Sequence, residues 1–259
     1  MSSFIVITNH KGGVAKTTTA VNLAAGLARK GYSVLLVDLD PQANATYGLG
    51  VDLDDENTQT ISQVFGPEKV PIGQVIVETS EPNLKLAPSD IRLVGAEMLL
   101  HTRPFRETVL QKTLQSVPDF DYVVLDCPPS LHTLTINALV CADKVLIPTE
   151  LTGHALKGLG NLLDTMETVK NGDPYDWRVL FTKVSGHGEE RQATAAKILA
   201  PIRGRILNTK IRKTEAIERS QMEGDDEEPP TPVVLSKNWN VGARDYRALV
   251  KEVLELWPV

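Results

Sequence analysis

Seven short runs of apolar residues, separated by segments of helical periodicity, form the main pattern of this chain. The runs are nearly continuous rather than alternating, which is typical of strands buried on both faces of a parallel sheet. They lie at residues 4–7, 33–37, 84–87, 122–125, 144–147, 179–182 and 206–207. The helical segments lie at residues 17–29, 134–141, 156–170 and 191–199. The pattern predicts an α/β fold with a mostly parallel, twisted sheet and helices on both faces.

Three other segments complete the predicted organisation of one domain over residues 1–259. Residues 50–80 carry polar residues, Pro and Gly with weak periodicity, so we expect a surface excursion. Residues 224–232 are acidic and proline-rich and predict an exposed loop. Within residues 246–257 one helical stripe is apolar and the opposite face is net negative, which favours a helix that closes the core over a membrane anchor. The stripe consists of Leu249, Val250, Val253, Leu254 and Trp257.

Composition narrows the class of protein only a little. The 259 residues carry a formal net charge of −6, and their two cysteines are too few for a disulfide framework, which favours the reducing cytoplasm. No apolar stretch approaches the roughly 18 residues that a membrane span needs. The first predicted strand begins at Phe4, so we expect neither a leader nor a preceding operator-reading domain.

A glycine-rich turn between the first strand and the first helix carries the clearest chemical signal. Residues 9–19 are Asn-His-Lys-Gly-Gly-Val-Ala-Lys-Thr-Thr-Thr. Such a turn, followed by Lys-Thr at a helix start, predicts a cradle of backbone N–H groups for nucleotide phosphates. Lys16 would reach the β- and γ-phosphates, and the Thr17 hydroxyl would bind Mg²⁺. Lys11 is a second lysine that an ordinary phosphate loop does not need; the plain alternative is a solvated lysine beside an anion.

Acidic residues follow two of the buried strands. Asp126 ends the run 122–125 and is expected to hold the waters of Mg²⁺, although it could merely cap the next turn. Asp38 and Asp40 follow the run 33–37 and lie on the same side of the strand, because strand side chains alternate. Asp38 is a second candidate on the metal side, with a structural carboxylate that binds local backbone as the alternative.

These motifs closely resemble those of the ParA/MinD group of ATPases with a deviant Walker A loop. The loop K-G-G-x-x-K-T and the segment Val-Asp-Leu-Asp-Pro-Gln at 37–42 carry the resemblance, together with Asp-Cys-Pro-Pro-Ser-Leu at 126–131 and Ala-Leu-Lys-Gly-Leu at 155–159. The match extends to about residue 170 and is looser over 183–232. It identifies the chain as a ParA-type partition ATPase of the Soj-like form.

The resemblance implies ATP and Mg²⁺ as cofactors and a sandwich dimer in which Lys11 contacts the phosphates held by the other subunit. It assigns catalysis to Lys11, Lys16 and Asp40, with Asp40 positioning the attacking water. The implied nucleotide contacts are Lys11, Gly12, Gly13, Val14, Ala15, Lys16, Thr17 and Thr18, with Asn208, Thr182 and Lys183 as weaker adenine candidates. Ala15 and Ala43 replace glycines of the family; we expect Ala15 to be helical, in which case alanine carries no cost.

Basic residues concentrate in the looser part of the chain. From Arg178 to Lys213 there are nine Lys and Arg against two Glu, a local net charge of +7. In the family such residues bind DNA non-specifically in the ATP dimer, which points to Arg191, Arg212, Lys213 and Arg205; ordinary solvated surface is the alternative. The implied partners are double-stranded DNA and a ParB-like, centromere-binding protein that stimulates hydrolysis, in the nucleoid.

Three other functions stay open at this point. One is a ParA-like ATPase that positions a protein cargo over the nucleoid. A second is a MinD-like regulator that cycles on membranes, which the acidic last helix disfavours. The third is a metabolic enzyme with the same loop, such as an ATP-dependent carboxylase or amidoligase.

Overall fold

An eight-stranded sheet organises the residues that the computed structural model describes, which are 2–53, 58–117, 120–151, 153–185, 199–220, 230–237 and 240–259. The strands are β1 Ser3–Ile7, β2 Val34–Asp38, β3 Val77–Glu78, β4 Leu84–Ala87, β5 Tyr122–Asp126, β6 Lys144–Glu150, β7 Asp176–Val184 and β8 Ile206–Arg212. Their order in the sheet is β3-β4-β2-β5-β1-β6-β7-β8. All neighbours are parallel except β3 and β4. The predicted mostly parallel sheet is confirmed.

Helices cover both faces of the sheet, as predicted. They are α1 Lys16–Arg29, α2 Asn44–Tyr47, α3 Ile61–Phe65, α4 Ile72–Val75, α5 Leu93–Leu100, α6 Val109–Leu114, α7 Thr133–Cys141, α8 Gly153–Lys170, α9 Glu215–Arg219 and α10 Val241–Leu256. Along β1 the side chains alternate between two cores: Ile5 and Ile7 pack with α1 and α10, whereas Val6 packs with α3 to α8. Full burial on both faces explains the continuous apolar runs.

Two strands differ from the sequence pattern. The apolar run at 206–207 predicts a very short strand, yet β8 continues to Arg212. Here Leu207 and Ile211 are buried while Asn208 and Lys210 are exposed, because β8 lies at the edge of the sheet and one of its faces meets water. The antiparallel strand β3 has only two residues, too few to give a periodic signal.

The expectation of a surface excursion over residues 50–80 is wrong for α3 and α4. Ile61, Val64 and Phe65 of α3, with Ile72 and Val75 of α4, are at most 2% exposed and belong to the core. The two helices have five and four residues, so each makes little more than one turn and its periodicity is invisible in the sequence.

The C-terminal helix closes the core as predicted. Asn240 caps α10 by accepting a hydrogen bond from the Ala243 N–H at 2.7 Å. Leu249, Val250, Val253 and Trp257 are buried, and Leu254 is partly buried. The helix packs against α1, where a Cβ at Gly26 would lie 2.4 Å from Cγ2 of Val250. Only glycine permits this approach.

Two predicted segments fall wholly or partly outside the described residues. The helix at 191–199 is one, since only Leu199 is described. The acidic loop at 224–232 is the other; its described end runs from Pro230 to Pro232, and Pro232 is buried rather than exposed. No helix in the described ranges combines the length and apolarity that crossing a bilayer requires.

Candidate nucleotide-binding site

The carboxyl ends of β1, β2 and β5 meet at one edge of the sheet. Because β5 lies between β1 and β2, Asp126 is level with Ile7 on one side and with Asp38 on the other. The glycine-rich turn leaves β1 at this edge and enters α1. Ligands of parallel α/β sheets bind at this edge, so the fold brings the phosphate loop and both acidic strand ends together where an anion and a cation would be bound.

Hydrogen bonds to β6 and β7 hold the loop in place. The Asn9 amide donates to the Pro148 carbonyl at 2.8 Å, and its oxygen accepts from the Lys11 N–H at 3.0 Å. The Thr182 hydroxyl donates to the Val14 carbonyl at 2.9 Å. Thr182 thus supports the loop, and these hydrogen bonds hold the loop without a ligand.

Close packing fixes the loop on a third side. The ring of His10 lies against Gly158 of α8, where an added Cβ would be 2.0 Å from Cε1 of the imidazole. Gly158 is thus required for the loop to lie against α8. This role could not be found in the sequence, because nothing local distinguishes Gly158 from the exposed Gly160 two residues later.

The expectation that Ala15 is helical is wrong. Its φ of 65° and ψ of 38° are left-handed, and α1 begins only at Lys16. Ala43 before α2 has the same kind of conformation, with φ of 55°. A Cβ in this region clashes with the following carbonyl at a cost of roughly 1–2 kcal/mol. Each alanine stands where the resemblance places glycine, so both turns carry backbone strain.

Replacing Ala15 by glycine is expected to raise the free energy of unfolding by about 1 kcal/mol, because glycine adopts the left-handed conformation without the Cβ clash. Urea unfolding of the apoprotein measures it. The control is Ala24→Gly in the interior of α1, which should lower the same free energy by about 1 kcal/mol or more. A loss of stability in Ala15→Gly would mean that the turn is unstrained.

The two lysines of the loop differ in their surroundings. Lys16 is only 6% exposed, and its ammonium donates to the Lys11 carbonyl at 3.4 Å. Burial lowers the pKa of Lys16, and the charge of Asp126 opposes this. Lys11 is half-buried, and its Nζ lies 3.3 Å from Oε2 of Glu150 at the end of β6. Lys16 is thus directed into the loop, whereas Lys11 is bound by a carboxylate.

Asp126, at the end of β5, is a carboxylate buried beside the phosphate loop. It is fully buried, and in the described part of the chain neither of its oxygens accepts a hydrogen bond of ordinary geometry. Burial, and then the charge of Asp38, raise its pKa well above the usual range, while the Thr17 hydroxyl and the Lys16 ammonium oppose the rise. Buried charges are normally paired or bind a metal. This unpaired acid beside a hydroxyl fits a hydrated divalent cation.

Asp38 and Asp40 have different surroundings. Asp38 is fully buried and accepts three hydrogen bonds of 2.9–3.0 Å, from the Asp40 N–H and from the N–H and hydroxyl of Thr46. Burial still raises the pKa of Asp38 to about 6. These bonds favour the alternative role, a structural carboxylate that holds the turn after β2. Asp40 is 7% exposed and lines the cleft described next, where a water-positioning group would have to lie.

A cleft of about 500 Å³ opens from the loop. Six of the predicted nucleotide contacts line it, together with residues of α1, α2 and the segment before α10 that were not predicted. The predicted ones are Gly12, Gly13, Ala15, Lys16, Thr17 and Thr18; the missed ones include Val21, Asn22, Tyr47, Ser220, Pro230 and Pro232. Val21 and Asn22 lie one helical turn beyond Thr17 and Thr18, a spacing that could have indicated them. The prolines gave no signal, since they reach the cleft from the far end of the chain.

Three of the predicted nucleotide contacts, Lys11, Val14 and Asn208, do not line this cleft. Lys183, one of the weaker adenine candidates, does line it. Val14 is fully buried and contributes only backbone to the loop. Asn208 is exposed on the edge strand β8, and its N–H donates to the Glu252 carboxylate of α10 at 2.7 Å. The backbone of Asn208 thus ties β8 to α10, and its assignment to the nucleotide stays a prediction.

The predicted DNA-binding residues are largely engaged with carboxylates. Arg212 forms a two-pronged ion pair with the buried Asp245 of α10. Arg205 pairs with Asp176 and stacks on Trp177, with 5.3 Å from the guanidinium to the ring centre. The other two candidates differ from these: Lys213 makes an exposed pair with Glu218 at 3.3 Å, and Arg191 lies outside the described residues. The local charge of +7 is thus partly neutralised by acids distant in sequence, which a count along the chain cannot detect.

Replacing Arg212 by alanine is expected to lower the free energy of unfolding by about 2 kcal/mol, because the buried Asp245 loses its charged partner. Urea unfolding measures the loss. Lys213→Ala is the control, since its partner is exposed and a surface pair contributes less than about 1 kcal/mol. Equal stability of the two variants would restore Arg212 as a surface cation available to DNA.

The cleft, the phosphate loop and the acidic strand ends define a phosphate-loop nucleotide-binding protein. Residues 2–175 match the family described as AAA domain. The chain is 37% identical over 257 residues to the sporulation initiation inhibitor protein Soj of Bacillus subtilis, covering 98% of each chain. It is 34% identical over 255 residues to the chromosome partitioning protein ParA of Myxococcus xanthus, covering 97% of this chain and 87% of that one.

A solved structure has the same fold. Cobyrinic acid a,c-diamide synthase from Mycobacterium smegmatis, bound to an ATP analogue and magnesium, superposes with a TM-score of 0.78 and 31% identity, covering 99% of this chain and 96% of that one. The chain belongs to the ParA family of phosphate-loop ATPases, related to Soj and ParA. ATP and Mg²⁺ are accordingly the ligands that its loop and acids fit.

Proposed function

We propose that the chain is a Mg²⁺-dependent ATPase that dimerises around ATP, binds DNA non-specifically as the dimer, and partitions a plasmid or chromosome with a ParB-like partner. The observation that carries the proposal is Lys11. The loop already has a buried lysine, Lys16, whose position suits one set of phosphates. A second lysine on the same loop, outside its own cleft, is suited to the phosphates of another subunit.

The residues divide the chemistry among them. Phosphoryl transfer depends mainly on positioning and on neutralising charge on the phosphoryl oxygens. The loop N–H groups and Lys16 would hold the phosphates, Thr17 and Asp126 would hold Mg²⁺, and Asp40 would orient water. Bound Mg²⁺ would supply charge neutralisation for the phosphates. Gly12 and Gly13 are exposed, so the loop surface is open to a second subunit.

Within this proposal, the DNA-binding surface consists of the exposed basic residues that carboxylates leave unpaired. Among the described residues of the basic stretch, Arg203 and Lys210 are exposed and have no ion-pair partner, and Lys213 has only an exposed one. Phosphate contacts of this kind need no base recognition, and the affinity should fall steeply with salt. The variant in which Arg203 and Lys210 are both changed to Glu tests this surface. Neither side chain forms an ion pair like those of Arg205 and Arg212.

The decisive experiment measures ATP turnover with and without duplex DNA and the protein encoded by the adjacent gene. The proposal requires slow turnover alone and acceleration when both are present. If the adjacent gene product binds no DNA but accelerates turnover, the cargo is a protein assembly rather than DNA. Turnover that is indifferent to DNA and partner would contradict the proposal.

A second candidate function is amide synthesis with ATP, which the similarity to cobyrinic acid a,c-diamide synthase from Mycobacterium smegmatis favours. The same phosphate loop would then activate a substrate carboxylate. Release of phosphate that depends on an added carboxylic acid and an ammonia donor, such as cobyrinic acid with glutamine, would support it. Turnover that responds to DNA and the partner instead would exclude it.

A further inference from the structure

Glu150 lies between two lysines at the rim of the nucleotide site. Its Oε2 is 3.3 Å from Nζ of Lys11, and its Oε1 is 3.8 Å from Nζ of Lys183. Lys183 is the residue of β7 that lines the cleft, and it has a left-handed φ of 52°. One carboxylate thus holds a cation from the phosphate loop and a cation from the wall of the cleft.

These ion pairs position Lys11 within its own subunit. Glu150 follows Thr149 at the end of β6, beside the Asn9 amide that also supports the loop. The Lys11 side chain is therefore bound on the β6 side, and Lys11 is absent from the walls of the cleft. For its ammonium to reach phosphates, whether of its own subunit or of a partner, the contact with Glu150 has to break.

We propose that Glu150 restrains Lys11 in the nucleotide-free monomer and so raises the ATP concentration at which dimers form. The inference rests on the proposed function, since it requires that Lys11 act across the dimer. The triphosphate, with more negative charge than one carboxylate, competes with Glu150 for both lysines. ATP binding then releases Lys11 for the partner subunit, and Glu150 is a positioning residue of the dimer switch.

The solvent exposure of the Lys11–Glu150 pair sets the expected size of the effect on dimerisation. The side chains of Lys11 and Glu150 are 34% and 25% exposed, so water screens their attraction. Ion pairs of this kind change an equilibrium by about two- to fivefold. The restraint is therefore weak enough for a triphosphate to overcome, yet large enough to move a dimerisation midpoint measurably.

The test is Glu150→Gln, which keeps the shape of the side chain and removes its charge. Light scattering during a titration with AMPPNP and Mg²⁺ gives the nucleotide concentration at half-dimerisation. We expect this midpoint to fall about two- to fivefold relative to the unaltered chain. Glu78→Gln is the matched control: it removes an exposed pair with Lys85 at the far edge of the sheet and should leave the midpoint unchanged.

The direction of the shift separates this role from a merely structural one. A structural carboxylate, once removed, would lower the thermal midpoint of unfolding and raise the nucleotide requirement. If the unaltered chain dimerises normally but the nucleotide concentration at half-dimerisation is unchanged or raised in Glu150→Gln, the inference is overturned while the proposed function stands. If the unaltered chain stays monomeric at saturating AMPPNP, the proposed function fails instead.

Discussion

Replacing Lys11 by alanine is expected to abolish dimerisation with ATP while leaving a monomer that still binds the nucleotide. Lys16 and the loop N–H groups hold the phosphates within each subunit, so the affinity of the monomer should change little. Dimerisation should be lost because, without Lys11, the two triphosphates would face each other between the subunits with no cation from the loop to compensate their charge. An inserted cation of this kind accelerates phosphoryl transfer by about 10³–10⁵, so turnover should fall by a similar factor.

Light scattering with AMPPNP and Mg²⁺ measures the dimer, and binding of a fluorescent ATP analogue measures the monomer affinity. Lys30→Ala is the control, because Lys30 is exposed just after α1 and does not line the cleft. It removes the same charge and should dimerise normally. A dimer of Lys11→Ala at the same nucleotide concentration would end the idea of a lysine shared between subunits.

The parts of the site that were predicted from sequence are those in which neighbouring residues suffice. Residues 9–15 form a continuous turn that leads directly into α1, and Asp126 is the last residue of its own strand, β5. The contacts that were missed join residues far apart in the chain. Lys11 and Glu150 are separated by 139 positions, and Arg212 pairs with Asp245 across 33.

Ala15 shows a different limit of sequence reasoning. Its residue type favours a helix, and a helix does follow, but the turn out of β1 forces a left-handed backbone at that position. Tertiary geometry therefore overrides local preference. The same holds for α3 and α4, whose apolar residues were predicted to lie on a surface because neither helix is long enough to show its period.

Replacing Asp126 by asparagine is expected to stabilise the apoprotein while abolishing ATP hydrolysis. The carboxylate is buried, has no hydrogen-bond partner among the described residues and lies beside Asp38, so its charge destabilises the fold. Removing that charge should raise the free energy of unfolding by about 2 kcal/mol at pH 8. Because a raised pKa favours the protonated acid in the folded state, stability falls as the pH rises from about 4 through the folded pKa. The variant should therefore lose less stability between pH 5 and pH 8.

Asp38→Asn is the contrasting variant. Asp38 is equally buried but accepts three hydrogen bonds, so the acceptor that asparagine lacks offsets the relief from removing a buried charge. The free energy of unfolding should then change by less than about 1 kcal/mol at pH 8. Urea unfolding at the two pH values separates the two acids.

Adding AMPPNP with Mg²⁺ should raise the thermal midpoint of the unaltered chain more than AMPPNP with EDTA, and Asp126→Asn should lose this difference. If the Mg²⁺-dependent gain persists in Asp126→Asn, Asp126 does not hold the metal, and its buried charge must serve another purpose in the strand end.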